Sequence, residues 1–377
     1  LRILGCGFKK IQNPKSKIQN QKMPLDGTGL DNSRPTIFID GKEDSSLVGG
    51  LTYLLIVEKT DGLYRCEARF GNWGPTDDST DFLYFDRKIL DFGKEFQIKL
   101  AQDELFKGKI TALEGDFPQG KPPEITVLAE DALQNLRMTR RTRSFEDMSD
   151  ADIFRKIAGE YGLTAQINAS GATHKSVAQV NQSDLAFMRE RARTVDAEIW
   201  IKDKDLNVKT RANRGQDKIS LKYKAKLQEF KVIADLAHQR TSVIAAGWDV
   251  SAKDAIKKEA TDSVISSELG QDASGISILK DKFGDRKESL VHGVALNSQE
   301  AQSIAESHMK RTARQFVVGR GVAEPNAKLR VGSFVELDGL GKLFNGKYYV
   351  SEIAHIFDNK KGLRTEFRAE RLGIGKP

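Results

Sequence analysis

Apolar and polar residues alternate along most of this chain, and the alternation starts early. Leu51 to Val57 is a short apolar run, and Tyr64 to Phe70 alternates in character. The pattern returns at Phe96 to Leu100 and Lys109 to Leu113, then at Glu124 to Leu128 after the loop Phe117 to Pro123. A period of two sends successive side chains to opposite faces of a sheet, so these segments predict strands and residues 46–140 a first β-domain. A Gly-, Asp-, Ser- and Asn-rich extension, 23–45, precedes it.

The period changes after about residue 140. Ser149 is placed to cap a helix with Ile153, Ile157 and Ala158 on its apolar face, and Ser183 to cap a second with Leu185, Met188 and Ala192 at helical spacing. Short strands at Glu198 to Ile201 and Leu206 to Lys209 complete a small α+β segment, 141–215. Alternation resumes at Lys231 to Ile233 and Ser242 to Trp248, and the polar stretch 257–277 then predicts a mobile excursion. Asn297-Ser298-Gln299-Glu300 reads as a capping box for a helix through about Arg314, with Ala301, Ile304, Ala305 and Met309 on one face. Four strand-like segments follow: Gln315 to Val322, Ser333 to Leu337, Lys347 to Phe357 and Leu363 to Arg371, with Asp358 to Gly362 as the last turn. Residues 216–377 are thus a second β-domain. The fold class is α+β, mainly β, with two β-domains flanking the α+β segment.

An internal echo suggests that the two β-domains are related. Leu105-Phe106-Lys107-Gly108-Lys109 is answered by Leu343-Phe344-Asn345-Gly346-Lys347, each beside a strand that follows a glycine, Gly93 or Gly332.

Charge changes little in this picture. The formal net charge is +7, but residues 1–22 carry Arg2, Lys9, Lys10, Lys15, Lys17 and Lys22 with no acid, which leaves +1 for the rest. This leader starts without a methionine and repeats Ile11-Gln12-Asn13 as Ile18-Gln19-Asn20, so we expect it to be a non-native or disordered segment with Met23 as the start. Ile3-Leu4-Gly5-Cys6 has the outline of a lipoprotein cleavage site but lacks the preceding apolar region. Nowhere does the chain approach the run of about 20 apolar residues that a membrane helix requires, so no stable membrane insertion is expected. Cys66 alternates with apolar neighbours and reads as a strand thiol in or near a core.

Catalytic chemistry needs groups that can meet in space. His174, His238, His292, His308 and His355 are scattered, and none has a second His or Cys at metal-ligand spacing. The glycines Gly339, Gly341 and Gly346 lie in a hairpin loop without the helix that a phosphate site uses. Glu146, Asp147, Asp150 and Asp152 offer paired carboxylates for glycoside hydrolysis, but they sit at a helix start, where negative charge is favoured in any case. Arg137, Arg140, Arg141 and Arg143 with Phe145 are the densest basic run of the body and offer phosphate contacts. Acids follow them at once, as on a solvated or interface surface. We therefore assign no catalytic, cofactor-binding or metal residues and expect no cofactor.

The middle segment carries a family resemblance. Ser144-Phe145-Glu146-Asp147-Met148-Ser149-Asp150-Ala151-Asp152-Ile153-Phe154 with Glu160-Tyr161-Gly162-Leu163, and then Gln179 to Arg189 with Arg191-Ala192-Arg193, resemble phage late control gene D proteins and the hub part of VgrG spike proteins. Ala246-Gly247-Trp248-Asp249 and the closing Gly346-Lys347-Tyr348-Tyr349-Val350 with Ala354-His355 are similar to further elements of that family, so the resemblance covers about residues 46–372. It implies a non-enzymatic baseplate hub: a homotrimer whose paired tube-type, barrel-like β-domains present six similar units to a hexameric tail tube. Expected partners are the tail tube protein, a spike and other baseplate components, and no nucleic acid. Because the chain ends at Pro377 without an OB-like domain or β-helical repeat, the spike is expected to be a separate protein. The particle would be a phage tail, tailocin or other contractile injection system assembled in the cytoplasm. Two rivals stay open, a peptidoglycan- or carbohydrate-active tail enzyme using the acids between Glu146 and Asp152, and a nucleic-acid-binding protein using Arg137 to Arg143.

Overall fold

A computed structural model describes residues 34–76, 79–214, 218–249 and 253–375, without the side chains of 292–294. The leader 1–22 with Cys6, and the start proposed at Met23, lie outside the described residues, as does the side chain of His292. The chain is α+β and mainly β.

Each alternating segment of the first third becomes a strand: Leu51–Lys59, Arg65–Gly71, Glu95–Leu100, Asp103–Asp116 and Glu124–Glu130. Their inward residues, including Leu54, Ile56, Cys66, Ala68, Phe96, Ile98, Ile125 and Val127, form one core. Burial pushes the free Cys66 thiol well above its usual pKa, as suits an inert packing residue.

Four strands of the last third, Val317–Ala323, Phe334–Asp338, Gly346–Asp358 and Gly362–Arg371, build a second core around Val335, Leu337, Tyr348, Val350, Phe367 and Ala369. Among the described residues the two sets are not separate sheets. Gly346–Asp358 pairs antiparallel with Leu51–Lys59, from Glu352 opposite Lys59 to Asp358 opposite Tyr53. One 13-stranded sheet therefore runs from the edge strand Leu227–Ala234 through this junction to the short hairpin Thr36–Ile39 and Lys42–Glu43.

The middle segment has its own core. Helix Asp150–Glu160 begins at a capping box between Ser149 and Asp152, and helix Asp184–Thr194 is capped by Ser183. Both bury their apolar faces among Phe145, Leu206 and Val208, under the paired strands Arg140–Ser149 and Thr173–Ser183. Asp150 and Asp184 are buried as well, because each meets an arginine.

Two expectations change. The polar stretch 257–277 is built into the fold: strand Asp254–Thr261, helical turns at Asp262–Ile265 and Ser266–Leu269, and the start of helix Gly275–Phe283. Ile256, Ala260, Ile265 and Ile276 pack against helix Ser298–Arg314, forming a fourth core, and Arg314 holds Glu268 with a 2.9 Å hydrogen bond. The low density of apolar residues hid four well-spaced anchors.

The Leu-Phe-x-Gly-Lys echo does not mark equivalent positions. Leu105 to Lys109 lies inside the strand Asp103–Asp116, with Gly108 opposite Phe96. Leu343 and Phe344 instead end the helical turn Gly341–Phe344, and Gly346 stands opposite Leu337 at the turn end of its hairpin. The first hairpin turns within two residues, 101 and 102, and the second carries a longer link, so the same pentad falls in different registers.

Candidate functional site

The residues offered for chemistry are occupied in holding the fold. Arg143 donates to Glu160 at 2.7 Å, to Asp184 at 2.7 Å and to Gln179 at 2.9 Å, and Arg141 donates to Glu160 at 2.9 Å. Tyr161 adds a 2.7 Å hydroxyl bond to Asp184. Arg137 pairs with Glu130, and Arg140 donates to the Asn181 carbonyl at 2.9 Å. Arg141 and Arg143 thus clamp the hairpin to both helices, while Arg137 and Arg140 stay exposed and each meets one protein acceptor.

The acids are used in the same way. The Ser149 hydroxyl and amide hold the Asp152 carboxyl below the usual range. Asp150 accepts from Arg191 at 2.6 Å and meets His174 at 3.2 Å. His174 also lies 3.6 Å from Glu300, at the start of helix Ser298–Arg314, so this buried cluster joins the middle segment to the last third. Among the described residues no three His, Cys, Asp or Glu side chains gather into a metal-ligating group.

The densest buried polar chemistry lies where the three parts of the chain meet. Glu58, on the joining strand Leu51–Lys59, accepts from the Arg330 side chain at 2.5 Å and from the Val331 amide at 3.1 Å. Arg214 donates to Glu198 at 2.7 Å and to the Tyr64 hydroxyl at 2.9 Å, and Tyr349 gives its hydroxyl proton to the same Glu198. Arg211 reaches Glu370 at 3.1 Å and sits over the Tyr349 ring at 3.8 Å. These contacts fasten first strand set, middle segment and last strand set together around a cleft of about 760 Å³.

Two groups beside this junction are strongly shifted. Burial pushes Asp131 up to about 7, although the Tyr64 and Leu133 amides donate to it at 2.8 and 2.9 Å and pull the other way. Burial lowers His355 to about 4; its Nδ1 meets the Thr365 hydroxyl at 3.1 Å, and its Nε2 has no hydrogen-bond partner among the described residues. His308, half-buried beside Glu288, is lowered by the same desolvation. Sequence reading missed Glu58, Asp131, Glu198 and Arg330, since charged residues in or beside alternating strands look like ordinary solvent-face positions. Chemically the arrangement is a fastening of ion pairs and hydrogen bonds between units.

A protein-family model described as the Alg8 N-terminal domain matches residues 76–359, about three-quarters of the chain. The chain belongs to this family. No curated protein matches it. Among solved structures, the 43 kDa tail protein of prophage MuSo2 from Shewanella oneidensis is similar over 90% of this chain and 98% of its own, at 12% identity and a TM-score of 0.65. The tail protein from Neisseria meningitidis MC58 is similar over 91% and 97%, at 13% identity and a TM-score of 0.64. The Escherichia coli c3393 protein, described as a component of the type VI secretion system with structural similarity to the T4 tail proteins gp27 and gp5, is similar over 90% and 79%, at 12% identity and a TM-score of 0.57. At these identities the likeness is one of fold: this family member has the fold of phage tail and type VI secretion proteins. No helix among its described residues is long and apolar enough to cross a membrane.

Proposed function

We propose that this chain is a structural, non-enzymatic hub: a homotrimeric adaptor that joins a hexameric tail tube to a separate central spike in a contractile tail or injection system. The reading rests on the resemblance to late control gene D proteins and VgrG hubs and on the tail-protein fold. The observation that carries it is the strand pairing of Leu51–Lys59 with Gly346–Asp358. A ring of six similar units in three chains needs six joints, and this pairing builds one joint inside every chain. Three more must form between copies, repeating around the axis. The edge strand Leu227–Ala234, paired with one strand, Val317–Ala323, among the described residues, supplies unpaired backbone groups of the kind that such contacts cover.

The internal use of Arg143, Asp150 and Asp184 supports a scaffold over an enzyme or a nucleic-acid binder. The hub would assemble in the cytoplasm as part of a tail-like particle. Light scattering of residues 23–377 across a concentration series, followed by electron-microscope class averages, tests the proposal. A trimer with a sixfold-looking ring is the expected result. A monomer that gains no sixfold character even with tube and spike proteins present overturns it.

A further inference from the structure

Trp73, Phe82, Phe85 and Phe117 form one aromatic cluster on the first β-domain. The Phe82 ring centroid lies 5.2 Å from that of Trp73, 5.0 Å from that of Phe85 and 6.0 Å from that of Phe117. Trp73 is 47% exposed, Phe82 38% and Phe117 63%. Single exposed apolar residues are ordinary, but three large rings in contact form a contiguous patch of the kind that marks interaction sites.

The patch is held in place. The Asn72 side chain accepts from the Tyr84 amide at 2.8 Å, and Asp81 accepts from the Phe82 amide at 2.7 Å. Gly115 lets two rings lie against the backbone, since a Cβ there would sit 3.1 Å from both Phe85 and Phe117. Beside the rings is a cavity of about 160 Å³ lined by Tyr84, Phe85, Leu113, Glu114 and Ile125, among others, which is room for one side chain.

The surrounding charge has a sign. Arg87 is paired with Asp91 at 2.7 Å, and Lys88 with Asp86 at 3.0 Å. Asp81, Glu114 and Asp116 have no basic side chain within ion-pair distance among the described residues, against one unpaired base, Lys121, in the loop that carries Phe117. A partner that buries the rings also approaches these acids, and uncompensated acids at a closing interface oppose association unless bases meet them.

We propose that this aromatic patch docks another protein through a segment that presents an apolar side chain flanked by lysine or arginine. The apolar group packs on Trp73, Phe82 and Phe117, one long side chain enters the adjoining cavity, and the basic groups meet Asp81, Glu114 and Asp116. This interaction surface stands on the patch and its charge, independently of the hub reading.

The test places p-benzoylphenylalanine at Phe117, and separately at Trp73, in the full chain expressed with its neighbouring genes. The exposed Phe283 position serves as background, and thermal melting confirms that each labelled chain folds. The expected result is an adduct at both patch positions with one segment of a different protein, in which Lys or Arg flanks an apolar residue. The adduct yield should fall at least tenfold when Glu114→Lys and Asp116→Lys are introduced together. Adducts confined to a second copy, adducts on an acidic segment, an unchanged yield after charge reversal, or no adduct above background each overturn the proposal. A ring-shaped particle without the adduct removes the docking surface and leaves the hub; the adduct without a ring does the reverse.

Discussion

Glu58 and Arg330 are 272 residues apart in sequence and meet within hydrogen-bonding distance at the seam between the first and last strand sets. The second oxygen of Glu58 takes the Val331 amide, so a single buried carboxylate fixes both a side chain and the backbone beside it. It is the point at which the continuous sheet is locked to the loop before Phe334–Asp338.

Glu58→Gln should therefore destabilise the protein. Breaking a fully buried pair costs about 3–5 kcal/mol, and because the Arg330 side chain keeps a third of its surface in solvent, the expected loss is smaller, about 2 kcal/mol. Denaturant unfolding measures it. The double variant Glu58→Gln with Arg330→Met should recover much of the loss, since no unpaired guanidinium remains at the seam.

His355 should make the protein acid-sensitive. The unfolded chain takes up a proton near pH 6.5 and the folded chain only near 4, so the contribution is present above 6.5 and is lost as pH falls toward 4. A gap of that size between the folded and unfolded values is worth about 3 kcal/mol. His355→Gln should flatten this fall relative to the parent in urea melts across that window.

Asp131 works in the opposite direction. Its folded pKa of about 7 lies above the carboxylate value of 3.8, so the folded chain holds a proton that the unfolded chain has released. The resulting stabilisation is complete below 3.8 and is lost as pH rises toward 7. Asp131→Asn should remove that loss and leave the slope of the desolvated histidines, His355 with His308, which the same urea series reads as stability rising with pH between 4 and 6.5.

Gly108→Ala should disrupt the hairpin partner of Glu95–Leu100. A Cβ at Gly108 would stand 2.3 Å from the Glu130 carbonyl oxygen, a backbone atom that cannot swing aside. A loss of about 3 kcal/mol, at the upper end for overpacking, is expected in thermal or denaturant unfolding.

Residues 23–377 should show no salt-dependent binding to duplex DNA in a fluorescence titration, because Arg141 and Arg143 are neutralised by Glu160 and Asp184 and Arg137 by Glu130, which leaves Arg140 as the one arginine of the run with no carboxylate partner among the described residues. Arg143→Ala should instead lower stability, since it strips Asp184, buried at the foot of its helix, of its closest cation.

The local pattern of the chain determined its strands, its capped helices and its mainly β class. The period of two at Tyr64 to Phe70 and the Ser149, Ser183 and Asn297 caps are properties of neighbouring residues, and neighbours are what a sequence displays. Only the tertiary structure decided that Leu51–Lys59 pairs with Gly346–Asp358, that 257–277 folds against helix Ser298–Arg314, that Glu58 finds Arg330, and that Trp73, Phe82 and Phe117 share one surface. Each of those depends on closing a long loop of chain. The register of a strand against a distant partner is set by which faces are buried after closure, and that is not written in the period of either strand alone.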